Sequence, residues 1–144
     1  METQTMGRVT VRALIETIYD LRDVDRGMIS PDRVRRLEVE DALIDRGATT
    51  LSMPKPLIEQ LGLTPFRQRP IRTSAGLQVV QVYGAVRLTI QGRDCLVDVV
   101  ETPEDCPVLV GQVPLELLDF VVDPKMQRLI GNPAHDGHHM YEMY

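Results

Sequence analysis

From Pro70 to Ile130 the apolar residues fall in short runs, most at every second position, and turn residues cut the runs at close intervals. A period of two puts successive side chains on opposite faces, which suits half-buried strands and not helices. Val86, Leu88 and Ile90 alternate with Arg87 and Thr89, Gln91-Gly92-Arg93 reverses the chain, and Cys95, Val97 and Val99 return beside them. Before this pair, Pro70–Thr73 and Leu77–Val82 flank a Ser74-Ala75-Gly76 turn and form a hairpin. After it, Val108-Leu109-Val110 is a fully apolar run stopped by Gly111, and Leu115–Leu118 is a brief helical piece. Phe120-Val121-Val122, Asp123–Met126 and Gln127–Ile130 spell strand, turn, strand.

The N-terminal part adds two strands and one or two helical pieces. Val9, Val11 and Ala13 share a face in Gly7–Glu16, and alternation resumes over Val34–Ile44. Between them, Tyr19–Arg26 reads as a helical turn or an excursion, closed by Ser30-Pro31-Asp32. Leu57, Ile58, Leu61 and Leu63 fall at helical spacing within Pro56–Leu63, with Gly62 placed as a C-terminal cap. The expectation is a mostly β fold: a small closed or folded-over β structure with one or two short helices. Residues 1–131 form one domain. Residues 132–144 form a polar tail, frayed or used in an oligomer contact.

Composition narrows the function. The net charge of −5 and pI near 5.2 argue against nucleic-acid and anionic-membrane partners, which call for a basic face. Aromatic residues are 4% and Trp is absent, so there is little on which single-stranded bases could stack. Cys95 and Cys106 lack zinc-ligand spacing and read as two reduced, half-buried thiols, although one bridge stays open. No metal or cofactor is expected. Met1–Arg8 has no basic-then-apolar pattern and no long apolar run follows, so a soluble, cytoplasmic protein is expected.

The segment with the most chemistry is Ala42-Leu43-Ile44-Asp45-Arg46-Gly47-Ala48-Thr49-Thr50-Leu51. An acid at the end of an apolar strand, followed by a glycine and small residues, puts a carboxylate on a tight loop. Gly47 lets the backbone bend close enough for amide donors to hold it. Asp25-Arg26-Gly27 repeats the tripeptide in a polar turn, so the apolar lead-in and the small residues after the glycine set Asp45 apart.

With these residues in this order, the chain resembles the retropepsin-type (retroviral-like) aspartic proteases over about residues 34–130, and the resemblance implies a small closed, acid-protease-like β barrel. In that family an apolar run precedes Asp-Thr-Gly-Ala, a β-hairpin flap follows, and an apolar-apolar-Gly motif supports the catalytic loop. The resemblance implies that Asp45 is the catalytic acid, on a loop of Arg46, Gly47, Ala48 and Thr49. It puts Ser74, Ala75 and Gly76 near the tip of a substrate-covering flap, and Val108–Gly111 as the support. One chain supplies one such acid, so the resemblance implies a homodimer hydrolysing peptide or unfolded protein.

Arg46 departs from that pattern, which has Thr or Ser. A guanidinium has no acceptor and is always charged, so it cannot replace a hydroxyl that bonds across a dimer axis. The activity is therefore expected to be weakened. Two alternatives stay open: a catalytically inactive peptide- or partner-binding relative, and a plain β interaction module in which Asp45 only caps a turn. Elsewhere, His135, His138 and His139 read as solvated tail residues. Arg33, Arg35 and Arg36 read as a charged strand edge answered by Glu38, Glu40 and Asp41. Met53 and Met126 read as fillers of core gaps.

Overall fold

The computed structural model describes residues 8–143. Strand β1 (Thr10–Thr17) buries Ala13 and Ile15 and pairs antiparallel with β2 (Arg36–Ile44), Ile15 facing Leu37. The chain between them forms α1 (Ile18–Asp25) and a 3₁₀ turn at Pro31–Arg33. Thr17 caps α1 by accepting the Tyr19 N–H at 3.3 Å, as a β-branched hydroxyl residue does at a helix start. Beyond β2 come β3 (Leu51–Pro54), α2 (Lys55–Leu61), β4 (Pro65–Thr73), β5 (Gly76–Ile90) and β6 (Arg93–Thr102). Then follow β7 (Leu109–Val110), α3 (Gln112–Leu118), and a separate two-stranded sheet of β8 (Phe120–Asp123) and β9 (Arg128–Gly131).

The seven-stranded sheet runs β1-β2-β7-β3-β6-β5-β4, and β1 also pairs with β5. That extra pairing, Leu14–Thr17 against Val86–Thr89, closes a ring of strands and leaves only β4 outside it. Closure removes most unpaired edges. Inside the ring lie Ile15, Leu51, Met53, Val86, Leu88, Ile90, Val99 and Val110, with Ile58 and Leu61 of α2 and Leu118 of α3, none more than 1% exposed. Each aliphatic side chain so removed from water contributes roughly 1.5–3 kcal/mol, which stabilises a ring built from strands as short as β7.

The fold is mostly β, as its sequence pattern implies. It has three α-helices where one or two were expected, because Tyr19–Arg26 has no clean apolar stripe. Asp20 of α1 is buried, and its carboxylate holds that segment to the chain just before β2 through the Arg35 side chain at 2.9 Å. This also corrects the arginine cluster: Arg35 and Arg36 pair with buried Asp20 and Glu16 and not with Glu38, Glu40 or Asp41. Glu16 holds a second arginine, Arg87 of β5, at 2.8 Å. Arg12 takes Glu40.

Three further expectations change. The hairpin reaches from Pro65 to Tyr83, longer than Pro70–Val82, because arginines and prolines on β4 hide its alternation. Met53 is buried, but Met126 is 61% exposed in the turn between β8 and β9. The stretch after β9, expected to be frayed or used in an oligomer contact, is tied to the body by a 3₁₀ turn at Pro133–His135 and by side-chain bonds to Asp119. The expected start of β1 at Gly7 and the end of the tail at Tyr144 lie outside the described residues. Cys95 is buried and Cys106 half-buried, both unbridged, and burial pushes the Cys95 thiol up to about 11, which leaves it inert at neutral pH.

Candidate active site

β7 sits between β2 and β3, parallel to the first and antiparallel to the second. Residues 45–50, which join β2 to β3, therefore have to cross the end of β7, and that end is Gly111. The crossing is close. A Cβ on Gly111 would lie 2.5 Å from the Ala48 carbonyl oxygen and 2.6 Å from that of Thr50. Only a glycine admits the loop there.

Backbone bonds then fix the loop on that support. Asp45 N–H donates to the Val110 carbonyl at 2.9 Å, and Gly111 N–H to Thr50 at 3.0 Å. Gln112 and Val113, at the start of α3, donate to the carbonyls of Ala48 and Thr49, each at 2.8 Å. The Thr50 hydroxyl donates to the Asp98 carbonyl of β6 at 3.0 Å. The loop is thus joined to three parts of the ring and cannot move without breaking bonds to each.

On this platform the Asp45 carboxylate accepts the Gly47 N–H at 2.9 Å, while Ala48 N–H turns back to the Asp45 carbonyl at 3.0 Å. A Cβ on Gly47 would stand 3.2 Å from the same carboxylate oxygen, so the glycine serves close approach. Asp45 is half-buried, and its other carboxylate oxygen accepts no hydrogen bond among the described residues. Arg46 and Thr49 point out of the protein, and among the described residues Arg46 joins no ion pair.

Ser74, Ala75 and Gly76 lie at the tip of the β4–β5 hairpin, all exposed. Gly76 has φ +106, and the Thr73 hydroxyl accepts the Ala75 N–H at 3.1 Å, which tightens the turn. Asp45, Arg46, Gly47, Ala48 and Thr49 share one loop. No hydrogen bond among the described residues joins them to the hairpin tip. The sequence had pointed to Gly111, but it carried no sign of the Gln112 and Val113 amides or of the Thr50–Asp98 bond. Those depend on which strands meet, and a local pattern does not record that.

Among the described residues no group of His, Cys, Asp and Glu is arranged to hold a metal ion, and no helix is long and apolar enough to cross a membrane. No model of a known protein family matches the sequence, and no curated protein matches it. Among solved structures, the chain is similar to the solution structure of the Simian Foamy Virus (mac) protease. The identity is 22% and the TM-score 0.45, over 76% of this chain and 93% of that one. A likeness this loose does not assign a function.

Proposed function

We propose that the chain is one half of a retropepsin-like aspartic endopeptidase, completed when two copies bring their Asp45 carboxylates together. The observation that carries this reading is the loop itself. An acid just after the end of β2, where Ala42 and Ile44 are buried, is held by the Gly47 amide, on a loop that crosses Gly111. Two carboxylates so close cannot both ionise easily, so they share one proton. The ionised one takes a proton from water as it attacks the scissile carbonyl. The protonated one polarises that carbonyl and later gives its proton to the leaving amine. An extended peptide would lie under the hairpin, which excludes water from the reacting bond.

Arg46 works against this cycle. Two guanidiniums beside the dyad repel each other, and pairing with the carboxylates favours the doubly ionised state that cannot donate. A second reading follows from the same residue: with Arg46 exposed next to the acid and in no ion pair among the described residues, the chain would bind extended peptide without cutting it.

Cleavage of an unfolded protein from acid to neutral pH separates the readings. Arg46→Thr is expected to raise the rate by roughly a hundredfold, within the range of general acid–base contributions. Asp45→Asn in that background is expected to abolish it. If the unaltered chain binds peptide and Arg46→Thr still does not cut, the binding reading stands and catalysis falls.

A further inference from the structure

Glu16, Thr17, Asp20, Ser52 and Asp119 are the polar residues buried among the described ones. All but Ser52 use their side chains inside the fold. Glu16 accepts from Arg36 and Arg87, Asp20 from Arg35, Thr17 from the Tyr19 N–H and Asp119 from Asn132. Ser52 is 7% exposed, and its hydroxyl makes no hydrogen bond among the described residues. A buried polar group left unpaired is costly, so it calls for a partner. Among those residues, only Thr102 Oγ1 is both closed to water and unpaired. The Ser52 hydroxyl therefore keeps an opening through which a partner can reach it.

That opening is on the side of the sheet away from the core. Ser52 stands between Leu51 and Met53, which both enter the core, so its side chain leaves on the other face. Residues paired across strands share a face, and the registers extend this one in both directions. Leu109 lies beside Ser52 and Leu43 beside Leu109; on the other side come Val100 and then Val82. These four apolar residues neither join the core cluster nor pack against it, whereas Ala42, Ile44, Val99 and Val110, next to them in the chain, do join it. The result is an apolar row with one hydroxyl at its centre. It borders the Asp45 loop at both ends, two residues before Asp45 and two after Thr50. The Asp45 N–H still bonds to the Val110 carbonyl, so the alternation of β2 carries the carboxylate to the side of Leu43.

We propose that Ser52 sets the side-chain preference of the peptide site: the side chain seated on this row is Thr, with a hydroxyl beside a methyl. One hydroxyl donates to the other, since each can both donate and accept. The methyl rests on Val100 and Leu109. Val has the size of Thr but leaves the Ser52 hydroxyl covered and unpaired, which is how a site rejects an isostere. Ser52 is thus a specificity residue, and the inference rests on the peptide-site reading of the protein.

The test uses the full chain carrying Asp45→Asn, so that binding is measured without cleavage. Fluorescent unstructured peptides alternating Thr with Gly and Val with Gly are compared by anisotropy. In an extended peptide every second side chain falls on one side, so the comparison holds in whichever register the peptide lies. The Thr peptide is expected to bind about fivefold more tightly than the Val peptide, the worth of one net hydrogen bond. Ser52→Ala should erase or reverse that ratio, whereas Ser52→Thr, which keeps the hydroxyl, should preserve its direction. The ratio in the chain that keeps Ser52 decides the matter even where Ser52→Ala does not fold. Equal binding, a preference for Val, or a Thr preference that survives Ser52→Ala overturns the proposal. Binding of neither peptide overturns the peptide-site reading and this inference with it, whereas binding of both without preference defeats this inference alone. A Thr preference without cleavage by Arg46→Thr would defeat the catalytic reading alone.

Discussion

At Gly111 the backbone is extended, with φ −90 and ψ −171, so any residue could adopt it. What a side chain lacks there is room, because its first carbon would enter the carbonyls of Ala48 and Thr50. Gly111→Ala is expected to cost about 1–3 kcal/mol in urea unfolding, as overpacking does. It should also loosen the Asp45 loop, seen as faster amide exchange at Asp45 and Gln112. Unchanged stability would mean the loop does not rest on Gly111. Gly62 is the contrasting case. Its φ of +66 closes α2, and the Arg35 guanidinium passes where a side chain would start. Both glycines were legible in the sequence, one ending an apolar run and the other a helical pattern. Their neighbours were not. Arg35 reaches Gly62 only because Asp20, fifteen positions earlier, draws it there.

Single elements were legible where one local pattern dominated. The strands around Gln91-Gly92-Arg93 and α2 stand where alternation and the glycine cap put them. α1 and β4 were less legible, since charge on α1 and arginine with proline on β4 mask the period. That the segment after β9 is anchored was not legible for a different reason: its anchor is tertiary. His135 lies between two carboxylates, Nδ1 2.7 Å from Asp119 and Nε2 2.7 Å from Glu142. Neutral imidazole has one N–H, so only the protonated ring donates to both. The bonds to Glu142 and Asp119 raise His135 above its ordinary 6.5, against the effect of burial. Burial pushes the Asp119 carboxyl up, but bonds from His135, Asn132 and the Met140 amide outweigh it and hold it below 3.8.

The sign of the pH effect follows from those directions. His135 contributes stability that is fully present below its unfolded pKa and is lost as pH rises through its raised folded value. Asp119 contributes stability that is present above its unfolded pKa and is lost as pH falls through its lowered folded value. The tail is thus held tightest between the two. Exchange protection at Met140 is expected to fall as pH climbs through the raised His135 value, and His135→Gln should remove that step. A flat profile in the unaltered chain would show that the imidazole does not govern the tail.

Across the whole molecule, ring closure by β1 and β5 follows from pairing between residues some seventy positions apart, and no local signal encodes it. The ring holds β2, β7 and β3 so that one acid stands on a fixed loop, and the proposed dyad needs a second Asp45 from another copy. The most direct test mixes Arg46→Thr protein with increasing Arg46→Thr/Asp45→Asn protein at constant total concentration and follows cleavage of an unfolded protein. If two Asp45 carboxylates from two copies form the site, the rate falls as the square of the fraction carrying Asp45. A linear fall would mean that one chain cuts alone, and no cleavage at any ratio would mean that Asp45 is not a catalytic acid.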